Sequence, residues 1–95
     1  MRTTVSVSAL RFTAATQEEN ESGLLGWIAL RLNGVFDLDG LALRRTRSGQ
    51  LTVSFPARKD RFGQKHFYFS PADRDTHREI EEEILRALGI EVGIP

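Results

Sequence analysis

The chain has 95 residues, enough for one domain with a modest core, and 40% of them are hydrophobic, as in an ordinary globular protein rather than a disordered tail. Thirteen Lys and Arg balance thirteen Asp and Glu, which excludes a global polycation, and the lack of Cys excludes disulfides and Cys-based metal sites. No apolar run approaches the roughly 18 residues of a membrane span, and the opening MRTTVSVSALRF alternates instead of forming the apolar stretch of a signal peptide, so the expected location is the cytoplasm.

Val5, Val7 and Ala9 alternate with Ser6 and Ser8, which predicts a first strand. The apolar phase then shifts to Leu10 and Phe12, the pattern of a bulge. Residues 13–23 are polar and turn-rich and read as a loop. LLGWIALRL, residues 24–32, reads as a strand apolar on both faces, with Leu24, Ile28, Leu30 and Leu32 on one side and Leu25, Trp27 and Ala29 on the other. Asn33-Gly34 is a strong hairpin signal. In VFDLDGLAL, Phe36 and Leu38 give way to Leu41 and Leu43, with Gly40 at the phase flip, as a second bulge requires.

LALRRTRSGQLTVSFPARK, residues 41–59, reads as a hairpin. A two-residue turn at Ser48-Gly49 would set Leu43 against Ser54 and Arg44 against Val53, mixing polar and apolar on both faces. A three-residue loop, Arg47-Ser48-Gly49, sets Leu43 against Val53 and Leu41 against Phe55, and Gly49 supplies the positive φ such a loop needs. The hydrophobic pattern therefore selects the second register, leaving Arg44, Thr46, Gln50, Thr52 and Ser54 on the opposite face. Pro56 ends this strand. ARKDRFGQK, residues 57–65, reads as a basic loop, and HFYF as a short fifth strand burying Phe67 and Phe69.

A helix follows. Ser70 is the first choice of N-cap, with Pro71 in the first turn, and Asp73 or Asp75 are the alternative caps. Ile80, Ile84, Leu85 and Leu88 form one apolar stripe, Gly89 is the stop, and Ile90 is placed to contact the last turn. Arg78–Glu82 and Glu82–Arg86 have ion-pair spacing on a face expected to be solvated, as is the acidic run 79–83.

The expected fold is α+β, a single domain over 1–95: an antiparallel β-meander of four to five strands with one C-terminal α-helix packed on the sheet. One helix covers one face. Leu25, Trp27 and Ala29 on the other side call either for a dimer partner or for cover from the first strand and loops.

The order of these elements resembles the SpoVG family (stage V sporulation protein G, the septation regulators). The resemblance runs over residues 5–88. It is carried by the strand ending in Leu10-Arg11, by VFDLDGLAL, by FPARK (Phe55 to Lys59) in place of an MPSRK-like stretch, and by Pro71 ahead of Thr76-His77-Arg78-Glu79-Ile80. The Arg-rich turn between the third and fourth strands and the long acidic early loop mark a divergent member. The resemblance implies a small β-sheet dimer that binds DNA or RNA in transcriptional regulation, with roles in septation and sporulation. Only Arg58 and Lys59 carry over as basic positions of the family pattern.

The residues point the same way. Between Arg44 and Lys65 stand seven basic residues and one acid, Asp60, a local net of +6 in a neutral chain. Arg44, Arg45, Arg47, Arg58, Lys59, Arg61 and Lys65 are the candidate phosphate contacts, with Thr46, Thr52 and Ser54 as added donors and Phe62 and Tyr68 as stacking surfaces. The bland alternatives are that these arginines keep an edge strand soluble or pair with the acidic helix. Asp37 and Asp39 have the chemistry for Mg²⁺ but fit better as a solvated face or as a partner for Arg31. With no Cys, no nucleophile elbow and no Gly-rich phosphate loop before a helix, the expectation is a protein that is not an enzyme and holds no cofactor or metal. The expected partners are a nucleic acid and a second copy joined through the β-sheet, with no membrane; the second reading is a protein-interaction adaptor that binds no nucleic acid.

Overall fold

The computed structural model describes residues 5–90, so residues 1–4 of the N-terminal reading lie outside it. The protein is α+β, as expected: β1 (Val7–Ala14), β2 (Leu24–Leu32), β3 (Phe36–Arg45) and β4 (Leu51–Ser54) form one antiparallel meander in chain order, and a C-terminal helix packs on one face. Between β1 and β2 lies α1 (Gln17–Glu21), and after β4 come β5 (Ala57–Lys59), β6 (Lys65–Phe67) and the long helix α2 (Arg74–Ala87). Among the described residues no helix is long and apolar enough to cross a membrane.

Both bulges lie where the apolar phase flips. Ala9 and Leu10 on β1 oppose a single residue of β2, and Ala9 adopts φ 50° there. The extra residue returns Phe12 to the core face opposite Ile28, where its ring covers Gly26. On β3, Leu38 faces Leu30 and Leu41 faces Ile28, so Asp39 and Gly40 together oppose Ala29. Gly40 takes φ 79° and donates its N–H to the Asp39 carboxylate at 2.7 Å. Asn33 and Gly34 turn the β2–β3 hairpin with φ 52° and 70°. The β3–β4 register is the one the hydrophobic pattern selects: Leu43 faces Val53, and Thr46 and Gln50 close a loop of Arg47, Ser48 and Gly49.

Ile28, Leu41, Leu43, Val53, Phe55, Ile80, Ile84 and Leu85 are the buried heart of the core. Burying each large aliphatic side chain contributes about 1.5–3 kcal/mol. Asp73, not Ser70, caps α2, accepting the Thr76 N–H at 2.8 Å. That bond holds the Asp73 carboxyl below its ordinary range, and the resulting charge suits the positive end of a helix better than a hydroxyl does. At the other end Gly89 (φ 82°) sends its N–H to Arg86 C=O and Ile90 sends its own to Leu85 C=O, the Schellman arrangement.

Further expectations need correction. The stretch 13–23 is not all loop: β1 runs to Ala14, and Thr16 and Glu19 form a reciprocal capping box that starts α1. The stretch 57–65 is a hairpin, β5–β6, with its own small sheet. In HFYF only Phe69 turns inward, edge-on to Phe55 at 6.0 Å, whereas Phe67 is 49% exposed because β6 pairs only with β5 and leaves the meander. The helix ion pairs are His77–Glu81 and Glu83–Arg86, not those through Glu82.

The acidic run 79–83 is not simply a solvated face either. Glu81 accepts the Val53 N–H at 2.8 Å, His77 Nε2 donates to the Val53 C=O at 3.0 Å, and Glu79 accepts the Val5 N–H at 3.1 Å. Val53 opposes Leu43 in a non-hydrogen-bonded pair, so its backbone groups point away from β3, out of the sheet edge. Helix side chains therefore occupy the positions a further strand would take. Replacing Glu81 with Ala is expected to cost about 1–3 kcal/mol, because the Val53 donor loses its partner. Glu81→Gln keeps an acceptor and should recover most of it. Urea titrations of the three proteins measure this.

Candidate nucleic-acid interface

The seven basic candidates fall into two groups. Arg44, Arg45 and Arg47 belong to the β3–β4 hairpin. Arg58, Lys59, Arg61 and Lys65 belong to β5–β6. The groups sit toward opposite ends of β4, separated from Gly49 to Ala57 by eight residues of chain, up to roughly 26 Å if fully extended. All seven side chains are exposed. Among the described residues none of them joins a salt bridge; the pairs present are Arg31–Asp37, His66–Asp60, His77–Glu81 and Arg86–Glu83. The acidic helix therefore does not neutralise the basic stretch.

Both hairpins use the same turn. In Thr46-Arg47-Ser48-Gly49-Gln50 the first residue pairs with the fifth and Gly49 takes φ 90°. In Asp60-Arg61-Phe62-Gly63-Gln64 the pairing is identical and Gly63 takes φ 80°. The first side chain braces each loop: Thr46 Oγ1 accepts the Gln50 N–H, and Asp60 Oδ1 accepts those of Phe62 and Gln64. Each turn presents an arginine at its first loop position. Asp60, the one acid of the stretch, is spent on this scaffold, since its other oxygen bonds His66 Nε2 at 2.7 Å.

The β5–β6 hairpin concentrates the charge. Lys59 and Lys65 are directly opposite each other, a like-charge cross-strand pair that costs stability unless an anion sits between them. Lys65 Nζ lies over the Phe67 ring at 4.9 Å, and the Arg61 guanidinium over Phe62 at 5.1 Å. Phe62 and Tyr68 are 77% and 66% exposed, so flat apolar faces stand among the cations. On β3, Arg44 lies across from Thr52 on the sheet face that α2 leaves open, together with the half-exposed Trp27. Asp37 is the partner of Arg31, bonded at 2.8 and 3.2 Å, and Asp39 is turned to Gly40.

The carboxyls of this region set an acid limit. The His66 hydrogen bond, then the Gln64 N–H, hold Asp60 below the ordinary range, and the Arg31 hydrogen bond does the same for Asp37. Asp73 behaves likewise through Thr76. The ordinary value is about 3.9, so the stabilisation from these three groups is complete above about pH 4 and is lost as the pH falls through their lower folded values. The melting temperature followed by circular dichroism is expected to drop from about pH 4 downward, and Asp73→Ala to shrink that drop.

Sequence reasoning missed the β5–β6 hairpin and the opposed Lys59 and Lys65. The signal was there: DRFGQ repeats the TRSGQ pattern of a turn already assigned. No family model matches this chain, and no curated protein matches it.

Proposed function

We propose that this protein is a non-enzymatic, nucleic-acid-binding regulatory module of the kind the SpoVG resemblance implies, working as a homodimer in the cytoplasm, where DNA and RNA are the abundant polyanions. One observation carries the reading: seven exposed cations without acidic partners among the described residues, four of them on a hairpin where Lys59 faces Lys65. Phosphates supply the missing counter-charge, and the exposed Thr46 beside Arg44 and Arg47 adds a donor. The dimer is supported by the sheet face opposite α2, where Trp27 is 41% exposed beside the half-buried Leu25 and Ala29.

Binding driven by phosphates weakens steeply with salt. Fluorescence anisotropy with random DNA and RNA oligonucleotides at two salt concentrations is the test, and no binding at low salt with micromolar protein rejects the reading. The second reading, an adaptor that binds protein alone, is favoured by Trp27 together with Val35 and Phe36, which are 73% and 64% exposed at the β2–β3 turn. Light scattering bears on the dimer: a 10.7 kDa species at high concentration removes it.

A further inference from the structure

A cleft of about 460 Å³ opens between the β5–β6 hairpin, the edge of β4 and the start of α2. Its size is that of a small-ligand site, which typically spans about 300–1,000 Å³. Val53, Phe55 and Pro71 form apolar wall, and Phe67 stands half-exposed at one side. Lys65 and Arg74 are its cations; neither joins a salt bridge among the described residues. The acid in the lining, Asp73, is engaged with the Thr76 N–H, and His77 with the Val53 carbonyl. Ser54 and Ser70 add hydroxyls. The cleft thus offers a flat ring a surface to lie on, hydrogen-bonding groups around its edge, and cations for an attached anion.

We infer that this cleft receives one unpaired nucleobase, stacked on Phe67, while Lys65 and Lys59 hold the adjoining phosphate. The inference rests on the nucleic-acid reading and narrows it to single-stranded DNA or RNA. The geometry favours a strand over a duplex for a simple reason: a paired base is already stacked and cannot enter a side cleft without first leaving its helix. It also gives a role to an aromatic residue left half-exposed beside a lysine at the cleft wall, where a stacked base and its phosphate would meet a ring and an ammonium together.

The experiment is an anisotropy titration of the full chain at one low salt concentration with three fluorescent probes of the same length: a mixed-sequence single strand, its duplex, and the single strand carrying abasic positions. The single strand is expected to bind more tightly than the other two. Phe67→Ala is expected to weaken single-strand binding about tenfold or more and duplex binding much less, as the loss of a stacking ring should. Phe67→Trp is expected to keep the preference. Lys65→Ala should weaken all three. Equal binding of strand and duplex by the native protein, an abasic strand bound as well as an intact one, or a Phe67→Ala loss shared equally by all probes overturns the base cleft while the nucleic-acid reading stands. No binding of any probe overturns both. The abasic probe reads the cleft on the unaltered protein, so the outcome does not depend on how well the variants fold.

Discussion

Truncating Ile84 to alanine is expected to lower the free energy of unfolding by about 2–5 kcal/mol. Ile84 is fully buried at the middle of the α2 stripe, between Ile80 and Leu85, in the cluster that holds Ile28, Leu41 and Val53 of the sheet. Removing its outer atoms forfeits their burial and leaves a void that a close-packed interior fills poorly. A domain of this size has a total stability of about 5–15 kcal/mol, so one side chain accounts for a large part of it. In a urea titration the midpoint should fall while the slope stays constant. Val35→Ala, at a residue 73% exposed, should stay within about 0.5 kcal/mol of the native protein. A loss at Ile84 as small as that at Val35 would mean that α2 does not rest on the sheet in solution.

The second large effect concerns binding. Replacing Arg58, Lys59, Arg61 and Lys65 together with Ala is expected to reduce affinity for a single-stranded oligonucleotide by two orders of magnitude or more at about 50 mM salt. The slope of log affinity against log salt should shrink by about three units, near 0.7 for each phosphate no longer neutralised. Removing Arg44, Arg45 and Arg47 should shrink it by about two. Stability gives an independent check, because the opposed lysines work against the fold. Lys65→Glu places an opposite charge across from Lys59 and should stabilise the hairpin by about 0.2–1 kcal/mol while weakening binding. If slope and affinity stay put in the fourfold variant, these side chains do not meet phosphates.

Much of the scaffold was legible in the sequence because it follows from period and turn chemistry. Gly40 marked its bulge, Asn33-Gly34 its turn, and the pairing of Leu43 with Val53 followed from keeping one face apolar. What escaped were contacts in which a polar side chain serves the backbone. Thr16 and Glu19 start α1 by exchanging hydrogen bonds, yet the segment has no apolar stripe to announce a helix. His77 and Glu81 continue the line of Ile84 and Leu88 up the helix, at spacings of three to four residues, so they flank the buried stripe and reach β4. Charge alone assigned Glu81, within the run 79–83, to water. The basic residues were legible as a group, but their division between two hairpins was not, because it depends on the chain folding back at Gly63.

The bonds from His77 and Glu81 to Val53 also bear on how the protein is made. During synthesis β4 emerges from the ribosome before the helix that shields it. Until α2 has followed, the nascent meander carries an open edge at Val53, next to the apolar face that Ile80, Ile84 and Leu85 will cover. The final helix therefore closes the sheet in two directions at once, above its face and along its rim. A chain interrupted before α2 is left with a surface suited to pairing with other chains, which makes such fragments natural substrates for chaperones or for aggregation.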